Sequence, residues 1–192
     1  LLGHVAAKVA QKTEQDIWNG AAATNGSIAG FKELMLADAD VSDVGAGAAV
    51  TAANVIDQMG LVVDAIPSTI YTSEDLYIYV SQNVARAYVR ALGGFQATIG
   101  GAGTDDKGTQ WYNGGGLSFD GVKIAVANGL PDNTMVAAEK SNLFFGTGLL
   151  NDQNEIKVID MADIDGSQNV RVVMRYTAAV QYGLGSEIVL YS

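Results

Sequence analysis

The chain contains no cysteine, which removes disulfide frameworks, thiolate zinc sites and thiol nucleophiles at once and leaves packing to hold the fold. It has a single histidine, His4, so neither a Ser-His-Asp set nor a two-histidine zinc motif can be assembled away from that residue. His4 falls in the first turn of a helical pattern, with no held partner to orient it, and reads as an exposed, chemically idle side chain. Cations are scarce: eleven Lys and Arg stand against twenty-one Asp and Glu, for a net charge of -10. No stretch concentrates the basic residues that direct binding to DNA or to an anionic membrane surface needs. There is no run of about eighteen apolar residues and no basic segment leading into an apolar one, so neither a membrane span nor a signal peptide is expected. The expectation from these absences is a protein that is not an enzyme, uses no cofactor and no metal, and has no membrane partner.

What is present is a chain of 192 residues, long enough for one large domain or two modest ones. Its most regular feature lies near the C-terminus. Val170, Val172, Met174, Tyr176, Ala178, Val180 and Tyr182 alternate with Arg171, Val173, Arg175, Thr177, Ala179 and Gln181, an apolar face and a largely polar one. At about 3.3 Å per residue such a strand would run roughly 43 Å, far beyond the usual strand of a compact domain.

Upstream, Leu2, Val5, Ala6, Val9, Thr13 and Ile17 fall at helical spacing, and Asn19-Gly20 stops the pattern. The chain opens at Leu1 without a Met, directly on this helix, as expected of a processed or truncated product. Residues 19 to 50, rich in Gly, Ala and Asp, read as mostly loop, with Ile28 to Leu36 as apolar anchorage. Thr51 reads as the cap of a second helix with the stripe Val55, Met59, Val62, Val63 and Ile66, ended before Pro67. Leu76 to Val80 is a strand, Ser81 a cap, and Val84, Tyr88, Ala91 and Leu92 mark a helix closed by Gly93-Gly94. Residues 93 to 116 carry nine glycines in twenty-four positions and read as a long irregular loop. Strands then follow at Gly121 to Ala127, Met135 to Ala138, Phe144-Phe145, Ile156 to Met161 and Glu187 to Tyr191, with a turn at Leu130-Pro131-Asp132-Asn133. Helices early and strands late give an α+β class.

Chemical motifs are weak. Gly100 to Gly108 fits neither the GxxxxGK[ST] nor the GxGxxG pattern, and Asp105 and Asp106 would repel phosphate, so a surface loop is the reading. Trp111 and Tyr112 are either hot spots for a partner or plugs that hold the loop onto the domain. Asp38, Asp40 and Asp43, and Asp160, Asp163 and Asp165 before Gly166, lack the closing Glu of a calcium loop and read as solvated turns. Asn25-Gly26-Ser27 spells a glycosylation triplet but reads as a tight turn. Arg86 and Arg90, one helical turn apart, read as a wet face.

The order of elements resembles a known family. The helix ending Ile17-Trp18-Asn19-Gly20, the segment Gly26 to Phe31, the helix Asn54 to Ile66, the strand and helix from Asp75 to Leu92, the Gly-rich loop and Phe119-Asp120-Gly121-Val122-Lys123-Ile124 come in sequence. Asn142-Leu143-Phe144-Phe145-Gly146-Thr147, Ile156 to Met161, the long strand, Gly183 and a last strand Ile188 to Tyr191 complete it. The pattern spans nearly the whole chain and is similar to tailed-phage major capsid proteins of the Hong Kong-ninety-seven type. The resemblance implies a peripheral domain of a long helix and long β-strands (residues 1–18 and 156–183). It also implies an axial domain, a mixed sheet flanked by helices (residues 19–155 and 184–192). The N-terminal arm and extended loop of that family are expected to be absent from this segment, which opens inside what resembles the family's long helix. The implied partners are copies of the same chain in hexamers and pentamers and other virion proteins, around double-stranded DNA that is enclosed without strong direct binding. The virion is the implied location, with host cytoplasm during assembly. Candidate subunit contacts are Phe95, Trp111 and Tyr112 on the loop and Arg171 and Arg175 on the long strand. Some members join subunits by a Lys-Asn bond assisted by a Glu, but Val170 to Tyr182 holds neither Asn nor Glu and that chemistry is not carried over. Without arm and loop, the segment alone is expected to be monomeric or weakly associated. The alternatives are an encapsulin-type shell around protein cargo and, from a different class, a small-ligand or carbohydrate-binding domain with Trp111 and Tyr112 as a stacking platform.

Overall fold

The computed structural model describes residues 2–24, 27–45, 49–92, 116–148, 156–162, 166, 168–174 and 177–192. In chain order the elements are α1 (Leu2–Asn19), α2 (Phe31–Ala37), β1 (Ser42–Asp43), α3 (Val55–Asp64), β2 (Leu76–Val80) and α4 (Gln82–Leu92). There follow β3 (Leu117–Phe119), β4 (Val122–Val126), β5 (Met135–Glu139), β6 (Leu143–Thr147), β7 (Ile156–Asp160), β8 (Val170–Met174), β9 (Ala178–Tyr182) and β10 (Val189–Tyr191). Six strands form one mixed sheet in the order β1-β10-β5-β2-β4-β3. The pairs β1 with β10 and β2 with β4 are parallel, and the other three are antiparallel.

The sheet is buried on both faces, and the alternation of side chains along its central strands supplies both cores. Met135 and Ala137 of β5, with Val189 and Tyr191 of β10 and Leu76, Ile78 and Val80 of β2, pack against α3 and α4. Val136 and Ala138, with Ile188 and Leu190, face a second cluster made by Trp18, Phe31, Met35, Val180 and Tyr182. That two-sided demand explains why β5 reads as four consecutive fully buried residues. Val55, Met59 and Val62 of α3 and Val84 of α4 have no exposed surface, each such burial being worth about 1.5–3 kcal/mol.

Local chemistry sets the punctuation. The hairpin between β3 and β4 turns on Asp120 (φ 46°) and Gly121 (φ 83°), the two left-handed positions of a two-residue turn that matches strand twist. Thr51 lies one turn before α3, where its N–H and hydroxyl donate to the Asn54 side chain at 2.7 and 3.1 Å. The turn expected near Pro131 is held by Asn133 (φ 61°), whose Oδ1 accepts from Val50 N at 2.9 Å and Asn83 Nδ2 at 2.8 Å.

One expectation is revised. The segment expected to be loop contains α2, whose Phe31 and Met35 form an i, i+4 apolar pair buried against Trp18 and its neighbours. Of the long alternating strand the described residues form β8, which pairs with β7, and β9, which pairs with β6; Arg175 and Tyr176 between them lie outside the described residues.

Candidate functional site

Among the described residues no group of His, Cys, Asp and Glu is placed to hold a metal ion, and no helix is long and apolar enough to cross a membrane. His4 is exposed. Asp38 works in a turn: its Oδ1 accepts the Asp40 N–H at 3.0 Å. Arg86 and Arg90 are exposed on α4, with the Arg86 guanidinium donating to Gln82 Oε1 at 3.0 Å.

The feature that stands apart is the pair of ladders outside the main sheet. β6 and β9 run antiparallel from Leu143↔Tyr182 to Thr147↔Ala178, and β7 and β8 from Ile156↔Met174 to Asp160↔Val170. The first ladder is prolonged at both ends by Gly183 N donating to Asn142 O (3.1 Å) and Gly148 N to Thr177 O (3.2 Å); the second is prolonged by Met161 N donating to Asn169 O (2.9 Å). The two ladders, together called the ribbon below, carry apolar residues that are not covered. Phe144, Phe145, Val158 and Val170 are between 50% and 55% exposed. Exposed apolar side chains gathered on one element mark a contact surface rather than a core.

The ribbon is rooted where it joins the sheet. Val180 and Tyr182 are buried in the second core. The Tyr182 hydroxyl donates to Asp38 Oδ2 at 2.8 Å and lies 3.2 Å from Leu34 O, tying β9 to α2. Burial, then the hydrogen bond and charge of Asp38, push the Tyr182 hydroxyl up to about 12. The Asp40 N–H, then the Tyr182 hydroxyl, hold Asp38 below the ordinary carboxylate value. On the other branch Asn142 is buried, and its side chain engages Gly183 and Leu184 across the root.

α1 is anchored at its C-terminal end. Trp18 stacks at tilted geometry on Phe31 (5.4 Å between centroids) and Tyr79 (5.2 Å). Glu14 Oε1 accepts the Asn128 N–H at 3.0 Å, and Gly129 lies so close to the Glu14 carbonyl that no Cβ fits between them. Lys12 and the buried Asp16 form an ion pair at 2.6 Å within the same end, and Ser27 Oγ lies 3.2 Å from Asp16 Oδ1.

Of the candidate contact residues, Phe95, Trp111, Tyr112 and Arg175 lie outside the described residues, as do Asp163, Asp165, Asn25 and Gly26. Arg171 is exposed on β8, opposite Ile159. The exposed apolar residues of the ribbon were not singled out as contacts from sequence, although a signal existed: adjacent Phe144 and Phe145 in a strand point to opposite faces and cannot both enter one core.

No family model and no curated protein matches this chain. Solved structures do. A structure from Mycobacterium phage Che8 superposes with a TM-score of 0.63 at 14% identity, covering 97% of this chain and 60% of that one. The satellite phage P4 procapsid including its size determination (Sid) protein gives 0.60 at 9% identity, covering 97% of this chain and 64% of that one. The capsid of an empty GTA particle gives 0.58 at 15% identity, covering 100% and 64%. The chain therefore spans 60% to 64% of the length of these three structures. With its mixed sheet and flanking helices, the chain has the fold of phage major capsid proteins.

Proposed function

We propose that this chain is the major capsid protein of a tailed phage or prophage, a structural protein that assembles into an icosahedral shell around double-stranded DNA. One observation carries the reading: almost the whole chain superposes on chains from three phage or phage-like particles. The exposed apolar ribbon supports it, since copies of the chain in hexamers and pentamers would cover what one copy leaves bare. In this reading residues 1–18 and 156–183 form the peripheral part and residues 19–155 and 184–192 the axial part. The whole six-stranded sheet falls within the second set. Phe95, Trp111, Tyr112, Arg171 and Arg175 remain candidate subunit contacts. A net charge of -10 suits a wall that confines a polyanion without gripping it. The place of action is the virion, with assembly in the host cytoplasm beside other virion proteins, and the role is not enzymatic.

Electron microscopy of the protein expressed from its complete reading frame tests this. Closed shells with five-fold and six-fold capsomers are the expected result. Small soluble oligomers at high concentration would refute it, and shells that retain a specific protein cargo in place of nucleic acid would move the assignment to a nanocompartment.

A further inference from the structure

The two branches of the ribbon leave the main sheet at one place, and a single side chain holds both. Residues 140–142 form a 3-10 turn between β5 and β6, and residues 185–187 form another between β9 and β10. Asn142, 7% exposed, sits at the end of the first. Its Oδ1 accepts from Gly183 N at 3.0 Å and Leu184 N at 2.8 Å, while its Nδ2 donates to Leu184 O at 2.9 Å. The side chain thus reinforces the backbone rung from Gly183 N to Asn142 O (3.1 Å) and adds two bonds to Leu184 beyond it, at the point where the chain passes from β9 towards the sheet. Gly183 completes the fit, because a Cβ there would stand 2.9 Å from Asn142 Oδ1 and 3.5 Å from the Phe144 ring. Beyond this root Phe144, Phe145, Gly146 and Thr147 of β6 are all exposed, so the described core gives the ribbon little lateral support.

We infer that Asn142 is a positioning residue: its three-bond clamp on Gly183 and Leu184 sets the direction in which the ribbon leaves the domain, and the two-faced core folds without it. A tie that acts locally should be separable from global stability. Backbone exchange by mass spectrometry on the full chain reads this directly. In Asn142→Ala, segments 143–147 and 178–184 should exchange at least about tenfold faster than in the parent, since more than one buried hydrogen bond is lost. Segments 76–80 and 135–138 should keep the parental rate.

Asn142→Asp supplies the readout that a purely space-filling side chain would not move. As a carboxylate it still accepts from Gly183 and Leu184 but cannot donate to Leu184 O, and it sets two oxygens face to face. As a neutral acid it regains a donor. The ribbon's exchange ratio to the parent should therefore fall towards one as pH is lowered through that carboxyl's titration. Asp38, Asp40, Glu139, Lys140, Tyr182 and Glu187 are ionisable groups on the segments at this root, and taking the ratio at each pH against the parent, which carries them all, removes their contribution. Gly183→Ala, which crowds the same oxygen, should loosen the ribbon alone as Asn142→Ala does. Equal loosening of ribbon and sheet, unchanged ribbon exchange in Asn142→Ala, or a ratio for Asn142→Asp that is flat with pH would each overturn the assignment.

Discussion

Adding one methyl group at Gly129 and one at Gly60 should move stability in opposite directions, and the difference tests how α1 is attached. At Gly129 a built Cβ runs into the carbonyl of Glu14 and stands 2.8 Å from Trp18 Cδ1. The obstacle is helix backbone, which cannot rotate away, so either α1 shifts or the loop carrying Asn128 and Gly129 does. Gly129 is not among the left-handed glycines, so the cost is one of contact rather than of dihedral strain. Overpacking of this kind costs about 1–3 kcal/mol. Gly60 lies inside α3 with nothing within 4 Å of the built Cβ, and replacing an interior helical glycine by alanine gains about 0.5–1 kcal/mol. The two variants should therefore differ by about 1.5–4 kcal/mol in urea unfolding followed by circular dichroism. At this chain length each kcal/mol shifts the melting midpoint by about 2–4 °C, so calorimetry resolves the difference. If Gly129→Ala unfolds with the parent while Gly60→Ala gains, α1 does not dock at Gly129 and the account of its anchored end is wrong.

Tyr182→Phe removes the tie from β9 to Asp38 and Leu34 and should cost about 1 kcal/mol in chemical unfolding, with no loss of secondary structure by circular dichroism. The same pair predicts a pH window. The hydroxyl is raised to about 12, so its contribution is complete below the unfolded value of about 10 and disappears as pH rises towards 12. The Asp38 carboxyl is lowered, so its contribution is present above its ordinary value of 3.8 and disappears as pH falls through the lowered one. Midpoints measured across this range should fall at both ends, and less so in Tyr182→Phe. Asn133→Ala removes the two part-buried hydrogen bonds that the side chain accepts from Val50 N and Asn83 Nδ2, at a left-handed position, and should cost about 2 kcal/mol or more by the same unfolding assay. Phe144→Ser, on an exposed ribbon position, should leave the unfolding midpoint within about 0.5 kcal/mol of the parent yet reduce shell formation in electron microscopy.

Most of the fold was legible in the sequence because its elements carry strong periodic signals. The stripe Val55, Met59, Val62 and Val63, the strand Leu76 to Val80 and the helix carrying Val84 and Tyr88 all appear where local pattern puts them. α2 was missed because it has only seven residues between Gly30 and Asp38, too short for periodicity to outweigh the surrounding glycine, alanine and aspartate. The partners of the long strand were not legible for another reason: alternation records which face a residue takes but not which strand it pairs with. The root was likewise hidden, since Asn142 meets Gly183 and Leu184 across 41 and 42 residues of sequence.

The energetics of the ribbon also bear on how a shell of such subunits would hold together. A two-stranded hairpin is marginal in water by itself, and its outer edges offer unpaired backbone groups to a neighbour. Covering the exposed halves of Phe144, Phe145, Val158 and Val170 would supply roughly 1 kcal/mol each, about 4 kcal/mol in all. Association of two bodies costs on the order of 4–15 kcal/mol in lost freedom, so one such contact does not hold a pair. A subunit in a closed shell loses that freedom once and meets several neighbours, so contacts that fail singly succeed together. Assembly built on this ribbon should accordingly switch on over a narrow range of protein concentration, with few intermediates between free subunits and closed particles. Retention of stable isolated dimers well below that range would place the main interface elsewhere on the molecule.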